Sequence, residues 1–152
     1  MAEFTSGWAA DWAWGIPLIL LTVVMHAIGL LLVELYVVQK LEAALLQVKF
    51  RFRFPIIVSS VVLFVTMLHG VEASVWAVVY RMLGALPNDT SAMLYSLSAI
   101  TSYGHAGLFL LPRWQLLGAM EALNGVMLFG LTTAFLFTVV QSVSRSNGRI
   151  KR

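Results

Sequence analysis

Apolar residues run along this chain in three stretches, at residues 14–38, 55–83 and 116–140. A hydrocarbon layer roughly 30 Å thick takes about 20 helical residues to cross, and each stretch is long enough. A fourth apolar stretch, residues 91–101, is half that length. It is expected to enter a membrane without crossing it. Polar and turn-forming residues separate the stretches. Pro55 suits the first turn of the second span, where its missing N–H is not needed. That span, about 43 Å long at the helical rise, must tilt or project beyond the lipid. Gly84, Pro87 and Asn88 predict its end, and Asp89, Thr90 or Ser91 offers a cap for the short helix. The pattern predicts an all-α membrane protein with three transmembrane helices and one re-entrant helix.

Composition agrees with that pattern. Of the 152 residues, 60% are hydrophobic and 11% charged, with a mean hydropathy of +0.87, which leaves too little polar surface to cover a soluble globule. The net charge of +3 does not point to nucleic acid, because of where the charges lie. No Lys or Arg precedes the first span. Lys40, Lys49, Arg51 and Arg53 lie between the first and second spans, Arg145, Arg149, Lys151 and Arg152 lie in the tail, and only Arg81 and Arg113 border the segment between the second and third. The positive-inside rule then makes the first loop and the C-terminus cytoplasmic, with the N-terminus and the re-entrant helix outside. Glu3 and Asp11 near the start, without a basic residue, argue against a cleaved signal peptide, so the first span is expected to remain as an anchor. The absence of cysteine excludes a disulfide, a thiolate metal site and a cysteine nucleophile.

Two segments read as membrane-surface features. Trp8, Trp12 and Trp14 precede the first span as an aromatic belt. Leu41, Ala44, Leu45 and Val48 recur at helical spacing and lead into Lys49-Phe50-Arg51-Phe52-Arg53-Phe54, a basic and aromatic mixture suited to anionic lipid headgroups. This connector either lies along the cytoplasmic surface or continues the first span.

Ionisable residues inside the spans are candidate functional groups. His26 and Glu34 lie in the first span, with Glu34 near its inner end and within snorkelling reach. His69 and Glu72 are spaced i, i+3 and so share a helix face. Glu72 lies about 25 Å along the second span and Glu121 about 8 Å below the start of the third. Both carboxylates are therefore expected behind the turn that follows the short helix, hydrogen-bonded to its amides, to Ser98 or to a neighbouring side chain. Trp76, Tyr80 and Tyr95 are expected to pack around them and supply donors. Such a group either braces the loop as a polar network or forms a metal or proton site. In the third span, Gly118, Gly125 and Gly130 favour close helix approach. Asn124 next to Gly125 marks a candidate gating bend. Thr132 and Thr133 either line a cavity or bond back to their own helix.

The turn itself is Ser102-Tyr103-Gly104-His105. The short helix before it spans about 16 Å at the standard rise, enough to descend to mid-membrane with the negative end of its dipole pointing inward. A loop at that depth is tolerated only where it faces water, protein or ions. Cation filters use such a loop, with rings of backbone carbonyls replacing the ion's hydration shell. Gly104 supplies backbone freedom.

From about His69 to Gln141, nearly half the chain, the sequence resembles the bacterial two-transmembrane pore-loop channels of the potassium channel superfamily. The resemblance rests on an outer helix with Glu72, Trp76 and Tyr80, a pore helix at residues 95–101, and Tyr103-Gly104. Beyond these come Trp114, the string Glu121-Ala122-Leu123-Asn124-Gly125 and Thr133-Ala134-Phe135-Leu136. It implies a pore loop, four subunits around a central pore, inner helices that gate it, and a bacterial plasma membrane. On that basis residues 1–54 form an N-terminal transmembrane helix with its basic connector, residues 55–141 a pore domain, and residues 142–152 a short basic tail. The candidate filter is Thr101, Ser102, Tyr103, Gly104 and His105. His69, Glu72, Trp76, Tyr95, Ser98 and Glu121 are its candidate supports.

The filter departs from the family signature Thr-Val-Gly-Tyr-Gly-Asp. If Tyr103-Gly104 falls on the family's Tyr-Gly, Ser102 replaces the first glycine, Thr101 the valine and His105 the aspartate. Alternatively one residue is deleted and Thr101 is the family threonine. Either way a serine stands where positive φ is expected, at a steric cost of about 1–2 kcal/mol. His105 near a shared axis would repel cations when protonated, hydrogen-bond the loop, or join a metal-binding ring. The expected function is a homotetrameric, passive cation channel for a monovalent ion, potassium being the family's ion, with no cofactor. The alternative is a non-conducting scaffold or accessory subunit. An enzyme is not expected, since no nucleophile stands at a recognisable spacing from a base.

Overall fold

The computed structural model describes residues 2–44, 49–104 and 107–150. Regular structure among them is entirely helical. Three helices are long and apolar enough to cross a membrane, Trp8–Leu41, Arg51–Met82 and Pro112–Arg145. At 32 to 34 residues each, they outrun the roughly 30 Å of a hydrocarbon core and must tilt or project from it.

Helix α1, Ala2–Leu32, passes without a break into a π-helical turn at Val33–Val38 and then into α2, Gln39–Ala44. Leu32 and Gln39, at the two junctions, both keep right-handed helical dihedrals. The connector as far as Ala44 therefore continues the first span. Leu45 and Val48 lie outside the described residues. Glu34 belongs to the π turn, where the Gln39 N–H bonds to its carbonyl.

Helix α3, Phe50–Met82, starts after Lys49, whose extended backbone (ψ 136°) forms the N-cap. The alternating basic and aromatic residues are thus the opening of α3. This corrects the position expected for Pro55. The helix begins five residues before it, so the proline is interior, and its missing N–H leaves the Arg51 carbonyl without the usual i→i−4 partner. Such a loss is tolerated in membrane helices when neighbours compensate.

Helix α3 ends in a Schellman motif. Gly84 takes positive φ (62°), its N–H bonds the Arg81 carbonyl at 3.1 Å, and Ala85 N–H bonds the Tyr80 carbonyl at 2.8 Å. After the turn, α4 runs Asp89–Ile100. Its N-cap is Asn88 and not one of the three residues that follow: Asn88 Oδ1 accepts the Ser91 N–H at 2.8 Å. Arg81 fastens the turn by donating to Asp89 Oδ1 at 2.6 Å and to the Leu86 carbonyl at 2.7 Å.

A 3₁₀ turn, Pro112–Trp114, opens the last helix, α5, Gln115–Ile150. The basic stretch expected as a separate tail is helical through Ile150 and continuous with the third span. Asp11, buried on α1, accepts a hydrogen bond from the Leu117 backbone N–H. One helix thereby caps the N-terminus of another, where orphan N–H groups and the dipole favour a carboxylate.

Helices α1, α3 and α5 pack together, and α4 leans on α3 and α5. At the α4 end the apolar core holds Leu18, Trp76, Tyr80, Leu86, Ala92, Leu110, Trp114 and Leu117. At the far end Val33, Val38, Ile57, Val61, Val65, Val139 and Val143 form a second cluster. Between them the apolar layer thins to Ala73, Ile100 and Leu128, and buried polar side chains fill the rest. Leu20, Val24, Leu63, Met67, Leu123 and Val126 point outward.

Candidate functional site

Three polar features occupy this middle layer. The first joins α1, α3 and α5. His26, Glu72, His69 and Thr132 are all buried. His26 Nδ1 lies 2.9 Å from Glu72 Oε1, and His69 Nδ1 lies 3.1 Å from Glu72 Oε2. That second contact is out of line for a hydrogen bond, and neither atom has another partner among the described residues. On the far side of the rings, His26 Nε2 and His69 Nε2 approach Thr132 Oγ1 at 3.1 and 3.2 Å. Packing fixes the ring planes: the two imidazole centroids are 5.1 Å apart, and Phe129 stacks on His69 at 4.3 Å. One turn toward the α4 end, Asn124 Nδ2 donates to Thr22 Oγ1 at 2.7 Å. Thr22 donates onward to the Leu18 carbonyl at 2.9 Å.

The second feature joins α3, α4 and α5. Tyr80 Oη donates to Glu121 Oε2 at 2.6 Å, and Ser96 Oγ contacts Glu121 Oε1. Ser96 also lies 2.7 Å from the Ala73 carbonyl. The Tyr95 ring meets Tyr80 edge-on at 5.4 Å, and its hydroxyl lies where a β-carbon on Gly118 would sit.

The third feature is the turn after α4. Ser102 N–H bonds the Ala99 carbonyl and Tyr103 N–H the Ser98 carbonyl, each at 2.9 Å. With Ser102 at φ 54°, this is a second Schellman motif, with serine where glycine is usual. Gly104 and Gly107 also take positive φ, 76° and 93°. Thr101, Ser102, Tyr103 and Gly104 are exposed, Tyr103 at 85%. His105 lies outside the described residues.

No family model, curated protein or solved structure matches the chain.

The candidate supports divide between two clusters. Glu72 and His69 sit in the first, 2.9 and 3.2 Å from His26 and Thr132 respectively, and Glu121 in the second. Neither carboxylate accepts from a turn amide; the amides of residues 102–104 bond back to α4 instead. Ser98, expected beside a carboxylate, donates to the Leu94 carbonyl at 2.8 Å. Ser96 takes that place, because it faces α3 and α5 from the buried side of α4. Trp76 is fully buried, and its Nε1 has no acceptor among the described residues.

Helix α5 passes unbroken through Asn124 and Gly125. Gly125 lies against the Ile100 carbonyl so closely that a β-carbon would overlap it. The pair thus serves contact, Asn124 with α1 and Gly125 with α4. Among the described residues Gly130 has nothing within 4 Å, so its expected close approach has no counterpart among them. Of the two threonines, Thr132 turns inward to the histidines, while exposed Thr133 bonds back to the Phe129 carbonyl at 2.8 Å. Tyr80 supplies a donor to a carboxylate, as expected of it, whereas His26 is a partner that spacing alone did not assign. Tyr80 stands two turns beyond Glu72 on the same face of α3, a spacing that signals its burial. His26 carried no pairing signal.

Proposed function

We propose that this chain is one protomer of a pore-loop cation channel, similar to potassium channels. Four copies gather their 101–104 turns around a shared axis and pass monovalent cations passively across the plasma membrane. The observation that carries this reading is an exposed polar turn packed against a candidate membrane span, at what would be mid-membrane depth if that span enters the hydrocarbon near Gln115. The Ile100 carbonyl meets α5 at Gly125, about 15 Å along that helix from Gln115 at 1.5 Å per residue, which is half of a roughly 30 Å hydrocarbon core. There Thr101, Ser102, Tyr103 and Gly104 are exposed, and among the described residues their carbonyls accept no backbone hydrogen bond. Lipid cannot satisfy such groups. Other copies, water and ions can.

Two features support carbonyls acting together. Positive φ at Ser102 and Gly104 alternates with negative φ at Thr101 and Tyr103, and this alternation gathers N–H groups on one side of the chain and carbonyls on the other. The C-terminal end of α4 adds its partial negative charge at the same place. Apolar side chains such as Leu123 and Val126 on the outer face of α5 are available to pack against neighbouring copies or lipid.

The test is reconstitution of the purified chain in liposomes, with the assembly counted by cross-linking and cation entry followed by a fluorescent flux assay. A tetramer with flux is the expected result. A tetramer that passes no cation supports the scaffold alternative, and a stable monomer removes both.

A further inference from the structure

The His26, His69 and Glu72 cluster has a feature that hydrogen bonding within the chain does not resolve. Thr132 Oγ1 is the shared neighbour of both Nε2 atoms, at 3.1 and 3.2 Å. A hydroxyl has a single proton and two lone pairs, so at least one imidazole must donate its Nε2–H to Thr132. In a neutral ring the Nδ1 of that imidazole is then a bare lone pair. Both Nδ1 atoms converge on the Glu72 carboxylate, at 2.9 and 3.1 Å. Lone pair facing carboxylate is repulsive unless a positive centre lies between them. Buried in the middle layer, no solvent screens that repulsion.

We propose that His26, His69 and Glu72 bind a divalent first-row transition metal ion, of which zinc is the reference case, through both Nδ1 atoms and the carboxylate. One donor atom from each residue lies within 4.8 Å of the others. Metal–nitrogen bonds near 2.1 Å put tetrahedral donors about 3.4 Å apart, so each ring need shift by less than about 1 Å. His69 Nδ1 and Glu72 Oε2 are close but out of line and otherwise unpartnered, as donors are when they aim at a common point instead of at each other. Two imidazoles and one carboxylate suit zinc, iron or nickel and do not suit hard cations such as magnesium, which prefer all-oxygen shells.

Thr132 completes the arrangement from a third helix. With a lone pair for each Nε2–H it fixes both tautomers, the role that outer partners of metal-bound histidines commonly play. A water can take the remaining coordination position. The ion would clamp α1 to α3, and through Thr132 to α5, fastening the first span to the rest of the chain. The site departs from the sequence-based expectation that no metal is needed, and it stands independently of conduction.

The full chain, purified in detergent and stripped with a chelator, is titrated with Co²⁺. The expected result is a visible tetrahedral d–d band that saturates at one ion per chain and is bleached by Zn²⁺. His26→Ala, His69→Ala and Glu72→Gln abolish the band, whereas Thr132→Val keeps it with affinity lowered roughly 10- to 100-fold. No saturable band in the wild-type chain overturns the proposal and leaves protons as the positive centre, a result that needs no variant to fold. A band that survives His26→Ala and His69→Ala, or that is lost in His105→Ala instead, also overturns it. None of these readings depends on cation flux.

Discussion

The Ile100 carbonyl, last in α4, rests against Cα of Gly125 on α5, at a distance that admits no side chain. Such a contact lets a weak Cα–H···O interaction form where a helix end would otherwise keep an unpaired carbonyl. Gly125→Ala is expected to push the two helices apart and lower stability by about 1–3 kcal/mol, the range for overpacked cores. Gly130→Ala, in open space within the chain, is expected to leave protomer stability unchanged or raise it by up to about 1 kcal/mol through helix propensity. Thermal unfolding in detergent checks both, and equal losses would show that the contact at Gly125 is not special.

The buried Glu121 depends on Tyr80, whose hydroxyl reaches it at 2.6 Å. Tyr80→Phe keeps the ring and its edge-on contact with Tyr95 but removes that donor. A buried acceptor left short of a partner costs about 1–3 kcal/mol, and denaturant unfolding in mild detergent should register a loss of that size. An unchanged midpoint would mean that Ser96 alone satisfies the carboxyl group.

Much of the fold was legible from hydropathy alone, because crossing a bilayer forces long apolar runs and the half-length stretch at 91–101 could not be a span. The i, i+3 spacing put His69 beside Glu72, at 3.1 Å in the structure. What spacing could not supply was contact across helices. His26 and Glu72 are 46 positions apart, and neither hydropathy nor helical period carries information at that separation. Ser96 and Ser98 are both buried, so choosing Ser96 required knowing which of them faces Glu121 on α5, and on a short helix with apolar residues all around, periodicity does not decide it. The early start of α3 was hidden by Pro55, since proline at a helix opening is the commoner arrangement.

Gly84 and Ser102 occupy equivalent positions, each the left-handed residue of a Schellman motif, with φ of 62° and 54°. A left-handed L-residue costs roughly 1–2 kcal/mol that glycine does not incur. Ser102→Gly is therefore expected to stabilise the chain by about 1 kcal/mol, and Gly84→Ser to destabilise it by a similar amount. Unfolding midpoints for the pair test this, and a loss on Ser102→Gly would mean that the serine side chain offsets its own backbone strain.

The first span is tied to α5 by the hydrogen bond from Asn124 Nδ2 to Thr22 Oγ1, 2.7 Å long and fully buried. Interhelical hydrogen bonds in membranes are worth only about 0.6 kcal/mol on average and at most roughly 1.7, since the unfolded chain also finds partners. Asn124 moreover leaves Oδ1 without a partner among the described residues, which offsets part of the gain. A double-mutant cycle with Thr22→Val and Asn124→Ala should return a coupling of that modest size. Such a value assigns Asn124 to holding two helices in register. It also means that the attachment of α1 rests on more than this bond, on apolar packing and on His26, which meets Glu72 on α3 and Thr132 on α5. Zero coupling, with altered cation flux in Asn124→Ala alone, would instead mark Asn124 as part of a bending point in α5.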